Sequence, residues 1–166
     1  MPKGPSRELS PLVAFLATGA YLGYSPIAPG TAGSFGCAVL LWFVLPAITM
    51  AGPPLVIAGF AISVAAFVIL SMWVAGQAEH SFGEKDASRI VIDEFAGYLI
   101  AVAFLPKTIL VYAAAFIIFR VVDILKPFPA ARLESVPGGA GIVLDDLVAG
   151  LYTNVLVRIM LLVRGW

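Results

Sequence analysis

The chain has 166 residues, ten acidic and ten basic, for a formal net charge of zero; 61% are hydrophobic, 12% are charged, and the mean hydropathy is +1.01. Soluble domains average roughly 45–50% apolar and about 25% charged, so this composition excludes an ordinary soluble domain and points to one integral membrane domain spanning residues 1–166. A neutral chain implies no polyanionic partner such as nucleic acid, and a single cysteine, Cys37, excludes an internal disulfide.

Met1–Ser10 is a polar tail rather than a signal peptide, since no small-residue cleavage site follows a compact apolar core. Pro11–Leu22 is modestly apolar and suits a short helix at the membrane interface. Gly23–Gly36, GYSPIAPGTAGSFG, is too rich in Gly and Pro to be helical throughout, and is expected to be an ordered loop that opens a helix near Ser34. Phe35–Met50 is the first strongly apolar run, broken by Ala51-Gly52-Pro53-Pro54. Leu55–Gly76 follows, 22 residues whose only polar side chains are Ser63 and Ser71. About 20 such residues cross a bilayer. Gln77–Glu94 is polar. Phe95–Phe119 is apolar but interrupted by Pro106-Lys107, Arg120–Leu144 is polar again, and Leu147–Val163 is the last apolar run before Arg164-Gly165-Trp166. A terminal Trp near an Arg suits a membrane interface.

The breaks set the topology. If 51–54 and Pro106-Lys107 turn two helical hairpins, the segments 1–34, 77–94 and 120–146 share one face of an all-α membrane bundle. That face then carries all ten acidic residues and seven of the ten basic ones, with Lys107, Arg158 and Arg164 opposite. The basic excess predicts that this polar face is cytoplasmic. If Pro106 merely kinks one long span, Asp93-Glu94 and Asp123 fall on opposite sides. The hairpin reading has a tension: helices of about 13–15 residues reach only about 20–23 Å, short for a full span.

The chemistry is expected where carboxylates meet apolar helices, because a charge near a membrane core is costly and usually functional. Asp93-Glu94 is predicted to open a helix. Acids there complement the helix dipole, but two in a row exceed what capping needs and suit a hard divalent cation such as Mg2+. Asp145-Asp146 is expected to repeat the arrangement at the start of the last helix, where one of the pair can be an N-cap. Asp123 is predicted near a helix C-terminus, where the dipole disfavours it, so it needs a cation. Arg120, three residues away on the same face, Lys126 or a metal supplies one. Arg120 and Lys126 beside a carboxylate-bound metal make a phosphate site, while Arg132 is equally suited to reach the interface. The turn Lys126-Pro127-Phe128-Pro129 ends the helix and fixes Lys126. The Gly-rich stretches 29–34, which includes Thr31, and 138–141 can present backbone N–H groups to phosphate, though neither is a P-loop. His80, the only histidine, and its neighbour Glu79 are candidate bases. Cys37 reads as inert packing.

These blocks, GYSPIAPGTAGSFG at 23–36, KDASRIVIDEFAGYL at 85–99, FRVVDILKPFP at 119–129 and GGAGIVLDDLVAG at 138–150, resemble the phosphatidylglycerophosphatase A family in composition and order. The resemblance implies a helical enzyme of the bacterial inner membrane that uses Mg2+ to release phosphate from phosphatidylglycerophosphate. It casts Asp93, Glu94, Asp123, Asp145 and Asp146 as metal and catalytic acids, and Arg120, Lys126 and Thr31 as phosphate ligands. Two rival readings are a cation or proton transporter using helix-end carboxylates, and a CDP-alcohol phosphotransferase, whose D-G-x-x-A-R signature is absent.

Overall fold

A computed structural model describes residues 9–47 and 52–164. The tail up to Glu8, the break at Ala51 and the terminal Trp166 lie outside them. The described residues form seven α-helices and no strand: α1 (Pro11–Ala17), α2 (Pro29–Val44), α3 (Pro54–Phe82), α4 (Ile92–Val102), α5 (Ile109–Leu125), α6 (Ala130–Leu133) and α7 (Gly139–Val163), with a short 3-10 turn at Leu22–Tyr24. Proline stands in the first turn of α1, α2 and α3, where a missing N–H costs nothing. Thr108 caps α5 by accepting a hydrogen bond from the Val111 N–H at 3.3 Å. Gly83, at φ +67°, ends α3 in the left-handed conformation that glycine adopts without strain.

Two boundaries differ from expectation. Helix α2 starts at Pro29, five residues before Ser34, and α7 starts at Gly139, so both Gly-rich stretches are largely helical. The reason is packing. A Cβ on Gly139 would collide with the Met72 carbonyl and the Gly76 N–H of α3, and a Cβ on Gly33 would lie 2.6 Å from both Glu94 Oε2 and Val91 Cβ. These glycines permit close approach of helices, and tertiary contact offsets their low helix propensity.

Helices α3 and α7 are long and apolar enough to cross a membrane. The outer side of α3 exposes Leu55, Ile62, Ile69 and Trp73, a surface suited to lipid. At the centre stands α4, with nine of its eleven residues buried. Its backbone touches α7 directly: a Cβ on Gly97 would come within 2.6 Å of the Asp146 carbonyl, and one on Gly150 would run into the Gly97 carbonyl.

The hairpin between α4 and α5 is present. Arg120 near the end of α5 reaches Glu94 in the first turn of α4, so the chain reverses at 103–108 instead of continuing as one kinked span. The structure also answers the length problem. With eleven residues α4 is only about 16 Å long, but its C-terminal carbonyls end inside protein. Asn154 Nδ2 donates to the carbonyls of Ile100, Ala101 and Ala103 at 2.9–3.1 Å. Arg158 adds the carbonyls of Ala103 and Phe104 and holds Asn154 Oδ1 at 2.8 Å. Non-helical backbone at membrane depth is tolerated where protein satisfies it in this way.

Candidate active site

Five segments converge at the end of the bundle opposite Asn154 and Arg158. The first turn of α4 supplies Asp93 and Glu94, and the last turns of α5 supply Arg120 and Asp123. Lys126 follows as the left-handed cap of α5, at φ +44°. Helix α7 supplies Asp145 and Asp146, and the start of α2 supplies Gly30 and Thr31. Together with Asp86 and Ser88 from the loop before α4, they line a cavity of about 420 Å³.

Asp145 and Asp146 were expected to open the last helix. They lie two turns inside α7 instead, because the helix is nucleated earlier against α3, and neither acts as an N-cap. The expectation that all carboxylates sit at helix ends is corrected with them. Asp93-Glu94 in a first turn and Asp123 in a last turn stand as predicted.

The cations are held by the acids. Arg120 Nη1 donates to Asp123 Oδ2 at 2.8 Å, Glu94 Oε1 at 3.2 Å and Ser34 Oγ at 3.3 Å, which joins α2, α4 and α5 through one nitrogen. Lys126 Nζ donates to Asp145 Oδ2 at 2.8 Å and Glu134 Oε2 at 3.1 Å. Burial alone would lower the Lys126 pKa, but the hydrogen bonds and charge of Asp145, then of Glu134, hold it above the ordinary lysine value, so the ammonium stays charged. Gly30 and Gly33 cradle the Glu94 carboxylate, leaving no room for a Cβ.

Asp86 escaped the sequence reading. It stands at φ +48°, a conformation Asp tolerates better than most residues. Burial raises its carboxyl pKa, Lys126 pulls it back, and Glu134, Glu79 and Asp123 push it further up. The available signal was its place in the KDASRIVIDE block, seven residues before Asp93. Ser34 and Glu134 are two further contacts of the site that the sequence did not single out. His80 and Glu79 are not brought to the cavity wall, and Arg132 stacks over the Phe128 ring at 4.8 Å.

The cavity wall carries six carboxylates against two cations. Asp93 Oδ1, Glu94 Oε2, Asp145 Oδ1 and Asp146 Oδ2 are buried without a hydrogen-bond partner among the described residues. Buried carboxylate oxygens left unpaired are costly, and hard oxygen donors in such excess fit a divalent cation. As the side chains stand, no three His, Cys, Asp or Glu groups among the described residues already close a metal cage. The donor chemistry fits Mg2+.

The sequence profile of phosphatidylglycerophosphatase A matches residues 15–161. The chain belongs to the phosphatidylglycerophosphatase A family. Among curated relatives of this family member, the Escherichia coli K12 phosphatidylglycerophosphatase A is 36% identical over 81% of this chain and 75% of its own length. The Haemophilus influenzae phosphatidylglycerophosphatase A is 33% identical over 92% of each. A Bacteroides thetaiotaomicron protein that carries the provisional name phosphatidylinositol-3-phosphatase is 34% identical over 93% of this chain and 96% of its own. No solved structure matches the chain at a comparable level.

Proposed function

We propose that the chain hydrolyses the phosphate monoester of phosphatidylglycerophosphate to phosphatidylglycerol and inorganic phosphate, with Mg2+ as cofactor, at the cytoplasmic face of a bacterial inner membrane. The observation that carries this reading is the cavity itself. Six carboxylates and two cations gather at one end of an apolar bundle, where a lipid headgroup can enter while its chains stay among the helices.

Each group has a role. Arg120 and Lys126 exchange their carboxylate partners for the oxygens of the phosphate and stabilise the charge that spreads over them during transfer. The N-terminus of α2, at Gly30 and Thr31, adds backbone N–H groups and the positive end of a helix dipole. Asp93, Glu94, Asp145 and Asp146, whose free oxygens line the cavity, are the groups to hold Mg2+, with Asp123 beside them. Bound there, Mg2+ would offset the charge of the incoming monoester and lower the pKa of a coordinated water. As the water oxygen attacks phosphorus and the bond from phosphorus to the glycerol oxygen breaks, a carboxylate of the cavity wall takes the proton from water, and the departing glycerol oxygen takes up a proton to become the hydroxyl of phosphatidylglycerol. These same residues also permit direct attack by an aspartate.

The test is release of inorganic phosphate by the purified protein in detergent, with Mg2+ and then with EDTA. Phosphatidylglycerophosphate, phosphatidylinositol 3-phosphate, phosphatidic acid and a soluble monoester are compared. Mg2+-dependent release that is highest on phosphatidylglycerophosphate is expected. A folded protein that releases phosphate from none of them would overturn the reading and bring forward transport through the buried carboxylates.

A further inference from the structure

We propose that the groove between α2 and α5 is the seat of one acyl chain of the substrate lipid, in line with the headgroup pocket. The inference rests on the lipid phosphatase reading above and adds which surface holds the chain.

The geometry comes from two helical stripes. On α2, Thr31 lines the headgroup cavity, and Phe35 and Trp42, on the same face at helical spacing, line a second cavity of about 520 Å³. On α5, Arg120 lines the headgroup cavity while Phe116 and Ala113, one and two turns earlier on that face, line the second. The two cavities therefore lie end to end between one pair of helices. Between them Arg120 Nη1 bonds Ser34 Oγ at 3.3 Å and the Phe35 and Phe116 rings pack edge to face, 6.1 Å apart, so the two join when Arg120 turns from Ser34 to the phosphate.

The groove suits a hydrocarbon chain. From Phe35 to Trp42 it is about 10 Å long at the helical rise, and its volume falls within the roughly 300–1,000 Å³ of ligand pockets. Its walls are aromatic and aliphatic. The floor hydroxyl of Tyr98 is already spent on the Tyr112 carbonyl at 2.9 Å, so it offers a chain no unpaired polar group. At the far end Trp42 is held by Lys107, whose Nζ lies 5.4 Å from its ring centroid and donates to the Leu45 carbonyl at 2.8 Å. Small side chains, Ala38 and Ala113, make the hollow.

Bulk lipid tails are as apolar as this groove, so a free chain gains little by entering. A chain whose own phosphate is held at Arg120 is delivered at high effective concentration. The groove therefore orients the substrate.

The test fills the hollow. Ala113→Phe and, separately, Ala38→Leu are compared with Ala61→Phe on the exposed side of α3. The substrates are phosphatidylglycerophosphate with long acyl chains and the same lipid with two hexanoyl chains. The groove variants are expected to lose at least about tenfold in kcat/KM on the long-chain lipid and to stay within about twofold on the short one, with Ala61→Phe unchanged on both. Equal losses on both lipids, or none, would overturn the proposal. A binding readout keeps the two readings apart. In a Trp73→Phe, Trp166→Phe background, Trp42 fluorescence should be quenched more by phosphatidic acid with brominated chains than by brominated phosphatidylcholine at equal mole fraction, and Ala113→Phe should remove the difference. Equal quenching by both lipids overturns the groove assignment. Quenching as expected, without turnover of any lipid phosphate, leaves the groove standing and overturns the phosphatase.

Discussion

At the scale of single residues, the site is defined by oxygens without partners. Asp93 and Asp146 are only 8% and 3% exposed, and each keeps one carboxylate oxygen free. Replacing either with Asn keeps shape and removes charge. Turnover should fall by about 10²–10⁴, with the unfolding midpoint in detergent unchanged or raised, because a buried like-charge repulsion is relieved. A double variant that still releases phosphate would remove this site from the mechanism. Arg120 engages three partners through Nη1 alone. Lysine has the charge but not the planar fork, so Arg120→Lys should lower kcat/KM by about tenfold or more, read as phosphate release across substrate concentration.

At the scale of elements, the candidate active site depends on how closely α4 and α7 approach. Gly150→Ala would force a methyl group into the Gly97 carbonyl. Overpacking of this kind costs about 1–3 kcal/mol, and it pushes Asp93 away from Asp146, so activity should drop further than stability. Thermal unfolding and phosphate release measured on the same sample separate the two effects. At the other end of α4, Asn154→Leu strips the hydrogen bonds from the carbonyls of Ile100, Ala101 and Ala103. An unsatisfied buried group costs about 1–3 kcal/mol, so the unfolding midpoint should fall clearly even though Asn154 is remote from the cavity. A variant as stable as the parent would show that water or lipid replaces Asn154.

At the scale of the whole molecule, charge is segregated. The acids and their cations occupy one end, whereas Lys107 and Arg158 hold backbone carbonyls at the other. If the bundle crosses the bilayer with its polar end cytoplasmic, Ser135→Cys should react with an impermeant thiol reagent only from the cytoplasmic side, and Pro106→Cys only from the other side. Both positions are exposed, and native Cys37 is buried and silent. Labelling of both from one side would rule out this arrangement.

Composition and spacing by themselves determined the class of the protein and marked out most residues of the candidate site. An apolar, weakly charged chain with apolar runs of about 20 residues reads as a helical membrane bundle, because such runs span as helices whose backbone is bonded internally. Arg120, Asp123 and Lys126 were legible as one unit because they are close in sequence, and Asp93-Glu94 because two acids at the mouth of an apolar helix are conspicuous. The tertiary structure decided what local sequence cannot express. The glycines at 30–33 and 139–141 read as loop formers in isolation, yet they are helical because Glu94 and α3 press against them. That moved Asp145 and Asp146 from a helix start to its interior. Asp86 looked like an ordinary loop acid until the fold placed it at the cavity wall, and the short α4 looked unable to reside in a membrane until α7 supplied Asn154 and Arg158. In each case the deciding partner is far away in the chain, and its contribution exists only once the helices pack.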